Sequence, residues 1–315
     1  MIEPSELRLI VKVAELYYEK GFQQNEIAKM LDLSQATISR LLRRARDEKI
    51  IQISVNNQVG VYSDLEIKIQ SEYKLKEVII ADSMDESEEE ILRSIGKAAA
   101  YYLESTIKSN DVLGISSWSS TLLAMVNQMH PLSNGRSNSV VQILGGVGNP
   151  TAEKHATHLT SRLAELIKGT PKFLPAPGIV KNVKTKKIYL EDPFVKEAFD
   201  IFDKINVALV GIGDVEPSLL LQSSGNIFSP KELKNLRHLG AVGDICLRFI
   251  NQDGRPIKTP LNDLVIGISL EKLKNTSRAI GVAGGKRKVK AIKAALRGKW
   301  INVLITDNFT AKKLL

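Results

Sequence analysis

Residues 23–44, QQNEIAKMLDLSQATISRLLRR, constrain this chain more than any other stretch. They read as two short helices around a tight turn. The first runs from Gln24 to Leu31, with Ile27, Ala28 and Leu31 on one face. Asp32-Leu33-Ser34 forms the turn, and Ser34 stands where a side-chain oxygen caps the next helix. That second helix buries Ile38, Leu41 and Leu42. Gln35, Thr37, Ser39, Arg40, Arg43 and Arg44 then face outward. Polar side chains at a helix start, followed by arginines, suit a major groove: the first reach base edges and the second hold phosphates. Gln24, Ser34, Gln35, Thr37, Ser39, Arg40, Arg43 and Arg44 are therefore the candidate DNA contacts. A solvated basic face on an ordinary helix pair explains the same pattern more blandly. Ala28 is small where the helices must cross, and Asp32 occupies a position that often needs a left-handed backbone, which aspartate tolerates.

A preceding helix is expected from Ser5 to Lys20, ended by Gly21, with Leu7, Ile10, Val11 and Ala14 inward. Residues 49–55 alternate or run apolar and read as a short strand closing this unit. Positive charge concentrates on the proposed recognition helix: between residues 34 and 55, five cations face only Asp47 and Glu48. Asn56-Asn57-Gln58-Val59-Gly60 is polar and linker-like. The expected organisation is 1–55 as a helix–turn–helix domain, 56–62 as linker and 63–315 as a second, larger domain.

From residue 77 the pattern changes. Apolar runs at 78–80, 112–115, 140–144, 207–210, 265–268, 279–282 and 301–305 alternate with amphipathic stretches. Continuous apolar strands separated by helices predict a parallel sheet covered on both faces, an α/β doubly wound domain. In such sheets ligands bind beyond the carboxyl ends of the strands. Four of those ends carry small or polar residues: Gly114 to Thr121, Leu144 to Asn149, Gly211 to Asp214, and Gly281 to Lys288. Backbone N–H groups and hydroxyls there suit a phosphate or a polyhydroxylated ligand. Each loop is equally compatible with a tight strand–helix turn. No dinucleotide fingerprint is complete, because Glu216 stands where Gly211-Ile212-Gly213 would need its third glycine. No cofactor is expected.

Composition narrows the class. The 315 residues carry a net charge of +9 and a pI near 9.4, which favours polyanionic partners. No apolar run is long enough for a membrane span, and no secretory leader is evident at the start. The single cysteine, Cys246, excludes an internal disulfide framework and fits a reducing cytoplasm. His155 and His158 lie one helical turn apart without a third ligand, so no metal site is expected. The acidic run from Asp82 to Glu90 reads as a loop and a solvated first helical turn. Asp244 has two readings, a turn-capping residue or an acceptor of ligand hydroxyls. Lys288 is singled out because its side chain starts near a strand end.

The whole chain resembles the SorC (DeoR-like) transcriptional regulators of bacterial sugar metabolism, of the sorbitol/sorbose operon type. The segments that carry the resemblance are Leu7 to Tyr18, Thr37 to Leu42, Val207 to Gly213, Ala241 to Ile245 and Ile301 to Asp307. It implies an N-terminal helix–turn–helix and a C-terminal Rossmann-like effector domain similar to sugar-phosphate isomerases. It also implies homotetramers on operator DNA, controlled by a sugar or sugar phosphate. Effector contacts implied by position or by strand-end chemistry are Ser117, Ser119, Ser120, Thr121, Gly145, Gly146, Val147, Asp214, Asp244 and Lys288. Relatives often carry an arginine in the loop after the second strand, where this chain has serines. That departure removes one phosphate clamp and leaves an unphosphorylated sugar open. Leu144 stands where some relatives have a lysine, which argues against an imine-forming effector. The competing expectation is a sugar-phosphate isomerase or deaminase with a helical accessory domain, using Asp214, Glu216 or Asp244 as acid and base.

Overall fold

The computed structural model describes residues 3–51, 61–132, 138–147, 153–225 and 227–315. The chain forms two compact units, residues 1–58 and 59–315, and each is taken by itself.

The first unit is helical. Pro4 opens α1 (Pro4–Ala14), where its missing N–H costs nothing. The expected helix to Lys20 does not continue as one α-helix: Glu15–Glu19 winds as a π-turn, and Gly21 at φ +74° ends it. α2 (Gln24–Met30) and α3 (Gln35–Asp47) follow. Ile10, Val13, Ala14, Ile27, Ala28, Ile38, Leu41, Leu42 and Ala45 close one small core between them. The strand expected at 49–55 falls largely on residues outside the description; Ile50 and Ile51 pack on this core without strand structure. The linker expected at 56–62 also lies mostly outside the described residues.

In the second unit α4 (Ser63–Tyr73) precedes β1 (Glu77–Ala81), α5 (Glu88–Thr106), β2 (Val112–Ile115), α6 (Ser120–Gln128) and β3 (Ser139–Gln142). Then come α7 (Glu153–Leu166), β4 (Thr170–Lys172), α8 (Val183–Glu191), α9 (Pro193–Phe202) and β5 (Val207–Gly211). The chain continues through α10 (Leu219–Ser223), α11 (Pro230–His238), the hairpin β6 (Ala241–Ile245) and β7 (Arg248–Asn251), and α12 (Leu270–Lys274). It ends with β8 (Arg278–Val282), α13 (Val289–Arg297), β9 (Val303–Asp307) and α14 (Asn308–Ala311). Seven strands pair in parallel in the order β1-β9-β8-β5-β2-β3-β4.

Strand alternation sorts the core. Leu113, Ile115, Val207, Leu209, Ile280, Val282, Val303 and Ile305 face α5, α6 and α7. Ala208, Val210, Ala279 and Leu304, one residue out of phase, face α4, α9 and α13. Both faces are thus covered, which is why these strands read as unbroken apolar runs.

Two expectations need correction. Val265 to Ile268 is buried but is not a strand; it makes isolated antiparallel bridges, Val265 to Ile179 and Gly267 to Leu144. Burial produced its apolar run, not pairing. Conversely, β4 and the hairpin were unmarked. β4 is a three-residue edge strand containing Pro171, tolerated where one side has no partner. The acidic run falls as expected: Glu88, Glu89 and Glu90 form the first turn of α5, capped by Ser87, whose Oγ accepts the N–H of Glu90 at 3.3 Å.

The sheet order turns outward in both directions from β2 and β5. β3 and β4 follow on one side, and β8 and β9 on the other. Loops leaving β2 and β5 at their carboxyl ends therefore diverge and leave a crevice between them.

Candidate functional site

In the helical unit, Asp32 adopts φ +53°, the left-handed turn anticipated for it. The Oγ of Ser34 accepts the N–H of Thr37 at 3.1 Å and pairs with Thr37 Oγ1 at 2.9 Å. Ser34 and Thr37 thus fix the start of α3, and Thr37 is half-buried. Gln35, Ser39, Arg40 and Arg43 project from the exposed face. Gln24 and Gln35 border one shallow polar hollow with Tyr17, Gln23 and Asn25. Arg44 departs from the expectation. Its guanidinium pairs with Glu6 of α1 and lies 4.0 Å from Glu48, so it ties α3 to α1 instead of standing free. Arg46 and Lys49 are exposed as well, continuing the basic edge.

The crevice between β2 and β5 is a solvent-open cleft with an enclosed volume of roughly 60 Å3. Ser116, Trp118, Ser119 and Ser120 line it from the β2 side, and Gly211, Gly213, Asp214 and Glu216 from the β5 side. Asp244, Cys246 and Leu247 come from the β6–β7 hairpin, and Arg287 and Lys288 from the turn before α13.

The hairpin is stitched to the end of β5. The Gly213 N–H donates to Asp244 O at 2.9 Å, and the Asp244 N–H to Gly213 O at 3.0 Å. This close approach requires the glycine, since a Cβ on Gly213 would meet the Asp244 carboxylate. The Leu247 N–H donates to Asp244 Oδ2 at 2.9 Å. Cys246 and Leu247 form the hairpin turn at φ +50° and +61°, a left-handed pair seldom occupied by such residues. We expect Gly213→Ala to cost about 1–3 kcal/mol of stability through this overlap, read from the denaturant midpoint.

Charge in the cleft is partly paired. Burial pushes the Asp244 carboxyl up to about 6; the Leu247 N–H and Lys288 oppose that rise, and Asp214 adds to it. Burial pulls the Lys288 ammonium down, with Glu88 and Asp244 restoring part of the loss. Arg287 Nε stands 3.9 Å from Asp214 Oδ2, and Arg237 of α11 pairs with Glu216. Burial pushes the Cys246 thiol up to about 12, so it is a packing residue and not a nucleophile.

Of the ten residues expected around a ligand, Ser119, Ser120, Asp214, Asp244 and Lys288 meet in this cleft. The others are engaged behind it. Ser117 Oγ donates to Leu144 O at 2.5 Å, and Thr121 Oγ1 to Val282 O at 2.8 Å; both side chains are buried. Gly145 packs on the carbonyls of Ala176 and Pro177, accepts the Trp118 indole N–H at 3.3 Å, and leads into Gly146 and Val147. The Val147 N–H donates to Ala176 O at 3.1 Å. Gly145 and Val147 thus pack against residues 176–177 and not on the cleft. Trp118, Arg287 and Arg237 were not singled out from sequence. Arg287 adjoins Lys288 in a basic run that gave no reason to choose between them, and Arg237 lies on a separate helix.

Asp214 and Glu216 each have an arginine partner, and the Asp244 carboxylate accepts a backbone N–H. Among the described residues no three His, Cys, Asp or Glu side chains could hold a metal ion, and no helix is long and apolar enough to cross a membrane. The side chain of His155 lies outside the description, and His158 is exposed.

A helix–turn–helix unit joined to a parallel α/β domain with a polar ligand cleft defines a DNA-binding transcriptional regulator under effector control. Residues 58–315 match the family described as "Putative sugar-binding domain", and residues 12–48 match "Sigma-70, region 4". The chain belongs to the SorC/DeoR-like family of sugar-responsive transcriptional regulators. It is 32% identical to the deoxyribonucleoside regulator of Bacillus subtilis over 98% of this chain and 97% of that one. It is also 32% identical to the sorbitol operon regulator of Klebsiella pneumoniae, each covered over its full length. The crystal structure of the full-length sorbitol operon regulator SorC from Klebsiella pneumoniae superposes with a TM-score of 0.75 at 30% identity, covering 98% of this chain and 99% of that one. These relatives are named as regulators, and the chain groups with them and not with enzymes.

Proposed function

We propose that this chain controls a carbohydrate-utilisation operon in the cytoplasm, reading operator DNA through α3 as a homotetramer. Residues 1–55 carry the reading head, 56–62 the linker and 63–315 the effector-binding and oligomerising part. The effector is a sugar or sugar phosphate seated between the loops that follow β2 and β5. One observation carries this reading: the cleft at the switch point presents carboxylates, serine hydroxyls and two cations together. Asp214 and Asp244 accept sugar hydroxyls, Ser119 and Ser120 donate or accept, and Arg287 and Lys288 attract a phosphate. The relatives' names, a sorbitol operon regulator and a deoxyribonucleoside regulator, support a polyhydroxylated effector. Mechanistically, an effector that prefers one arrangement of the oligomer changes operator affinity by its differential affinity for that arrangement.

An anisotropy titration against DNA upstream of its own transcription unit tests this, at two salt concentrations and with a sugar panel with and without phosphate. The expected result is sequence-selective, salt-sensitive binding altered by one sugar. Weak binding indifferent to sequence and to every sugar would sink the reading.

A further inference from the structure

A second cavity, of roughly 210 Å3, opens between α8, α9, the start of β7 and residues 265–269. Leu190, Phe199, Phe202 and Val265 supply an apolar wall. Three cations border it: Lys186, Arg248 and Lys272. Lys272 is already paired with Asp203 at 2.6 Å. Lys186 and Arg248 form no ion pair among the described residues. The Arg248 guanidinium is anchored by donating to the carbonyls of Asn262 and Val265, so it is held in place without being neutralised. Burial and the nearby Arg248 both pull the Lys186 ammonium down, while exposed Asp263 opposes this from outside ion-pair range. Arg248 itself is pulled down by burial, with Cys246 and Asp263 opposing. Two like charges beside one apolar hollow, one of them anchored, are costly unless an anion joins them.

We infer that this cavity binds a small organic carboxylate with an aromatic or branched apolar body. The carboxylate sits between Lys186 and Arg248, and the body lies on Phe199 and Phe202. A guanidinium with anchored edges offers its remaining N–H groups in a fixed plane, which suits a carboxylate. The site is distinct from the effector cleft, yet Arg248 directly follows Cys246 and Leu247, which line that cleft. An experiment must therefore tell the two apart.

The test is thermal unfolding of the full chain followed by tryptophan fluorescence. Trp118 and Trp300 both lie in the 59–315 unit, so the signal reports that unit. The probe is 4-chlorobenzoate, with sodium chloride at matched ionic strength as the control. The expected result is a saturable rise of about 2–4 °C with the carboxylate near tenfold over its Kd, absent with chloride. Lys186→Met should abolish the rise, and Lys186→Gln repeats the test should methionine disturb folding. Asp244→Asn should keep the rise relative to its own baseline. No saturable rise, an equal rise with chloride, a rise surviving both lysine variants, or its loss in Asp244→Asn would each overturn the assignment.

Discussion

Asp244→Asn is expected to make the protein more stable at pH 7 while lowering its response to effector by tenfold or more. Burial raises the folded-state carboxyl of Asp244 from 3.8 to about 6. Below about pH 4 the group is protonated in both folded and unfolded chains and adds no pH dependence to stability. As pH rises toward 6 the unfolded chain loses its proton first, so the folded state binds more protons and stability falls with pH. The total loss across this window is about 2–3 kcal/mol at most, since each pH unit between the two values is worth about 1.4 kcal/mol. Asparagine cannot ionise, yet its carbonyl oxygen still accepts the Leu247 N–H that fixes the hairpin turn. The variant should therefore unfold at a higher denaturant midpoint at pH 7, and its stability should lack the decline between pH 4 and 6. At the proposed effector site, binding moves the other way, because an amide N–H2 would stand where the proposal has an ionised acceptor for the ligand hydroxyls. In the wild type the same titration makes effector affinity weaken as pH drops below about 6. Calorimetric titration across pH 5 to 8, beside denaturant melts of both proteins, reads all of this. A destabilised variant with undiminished effector affinity would remove Asp244 from the site.

What could be foreseen from sequence follows burial. Strands covered on both faces announce themselves as apolar runs, so β1, β2, β3, β5, β8 and β9 were legible, and with them the loops that carry Asp214 and Lys288. β4 has only Thr170, Pro171 and Lys172 and sits at the sheet edge, where no periodicity is enforced. The β6–β7 hairpin lacked its usual turn signal, since Cys246 and Leu247 occupy left-handed positions that Asn-Gly normally marks. Hydroxyl direction was illegible in principle. Ser117 and Ser119 are two residues apart after β2, yet one donates to the buried Leu144 carbonyl and the other faces the cleft. Arg237 reaches Glu216 from another helix, a pairing no local pattern records. Arg44 fails for the same reason: its place on a helical wheel is outward, but Glu6 lies 38 residues earlier in the chain.

That last distinction sets the second large effect. Replacing both Arg40 and Arg43 by alanine is expected to weaken operator binding roughly a hundredfold, about tenfold for each charge-assisted phosphate contact. Both side chains are exposed on α3 and have no ion-pair partner among the described residues, so their removal leaves the core of Ile38, Leu41, Leu42 and Ala45 intact. Because each contact displaces condensed counterions, the slope of log affinity against log salt should become shallower by about one per arginine. Affinity for unrelated DNA should fall in parallel, since phosphates carry no sequence. Gln35→Ala should behave differently, costing about 1–3 kcal/mol at one base position with the salt slope unchanged. Arg44→Ala separates positioning from contact. With its guanidinium on Glu6, its loss should cost the helical unit about 0.2–1 kcal/mol, the range of a partly exposed pair, and leave the salt slope nearly as it was. Anisotropy titrations of these variants at about 50 and 200 mM salt make the comparison. If Arg44→Ala flattened the slope as Arg43→Ala does, Arg44 would leave Glu6 for the DNA, and α1 would move with it.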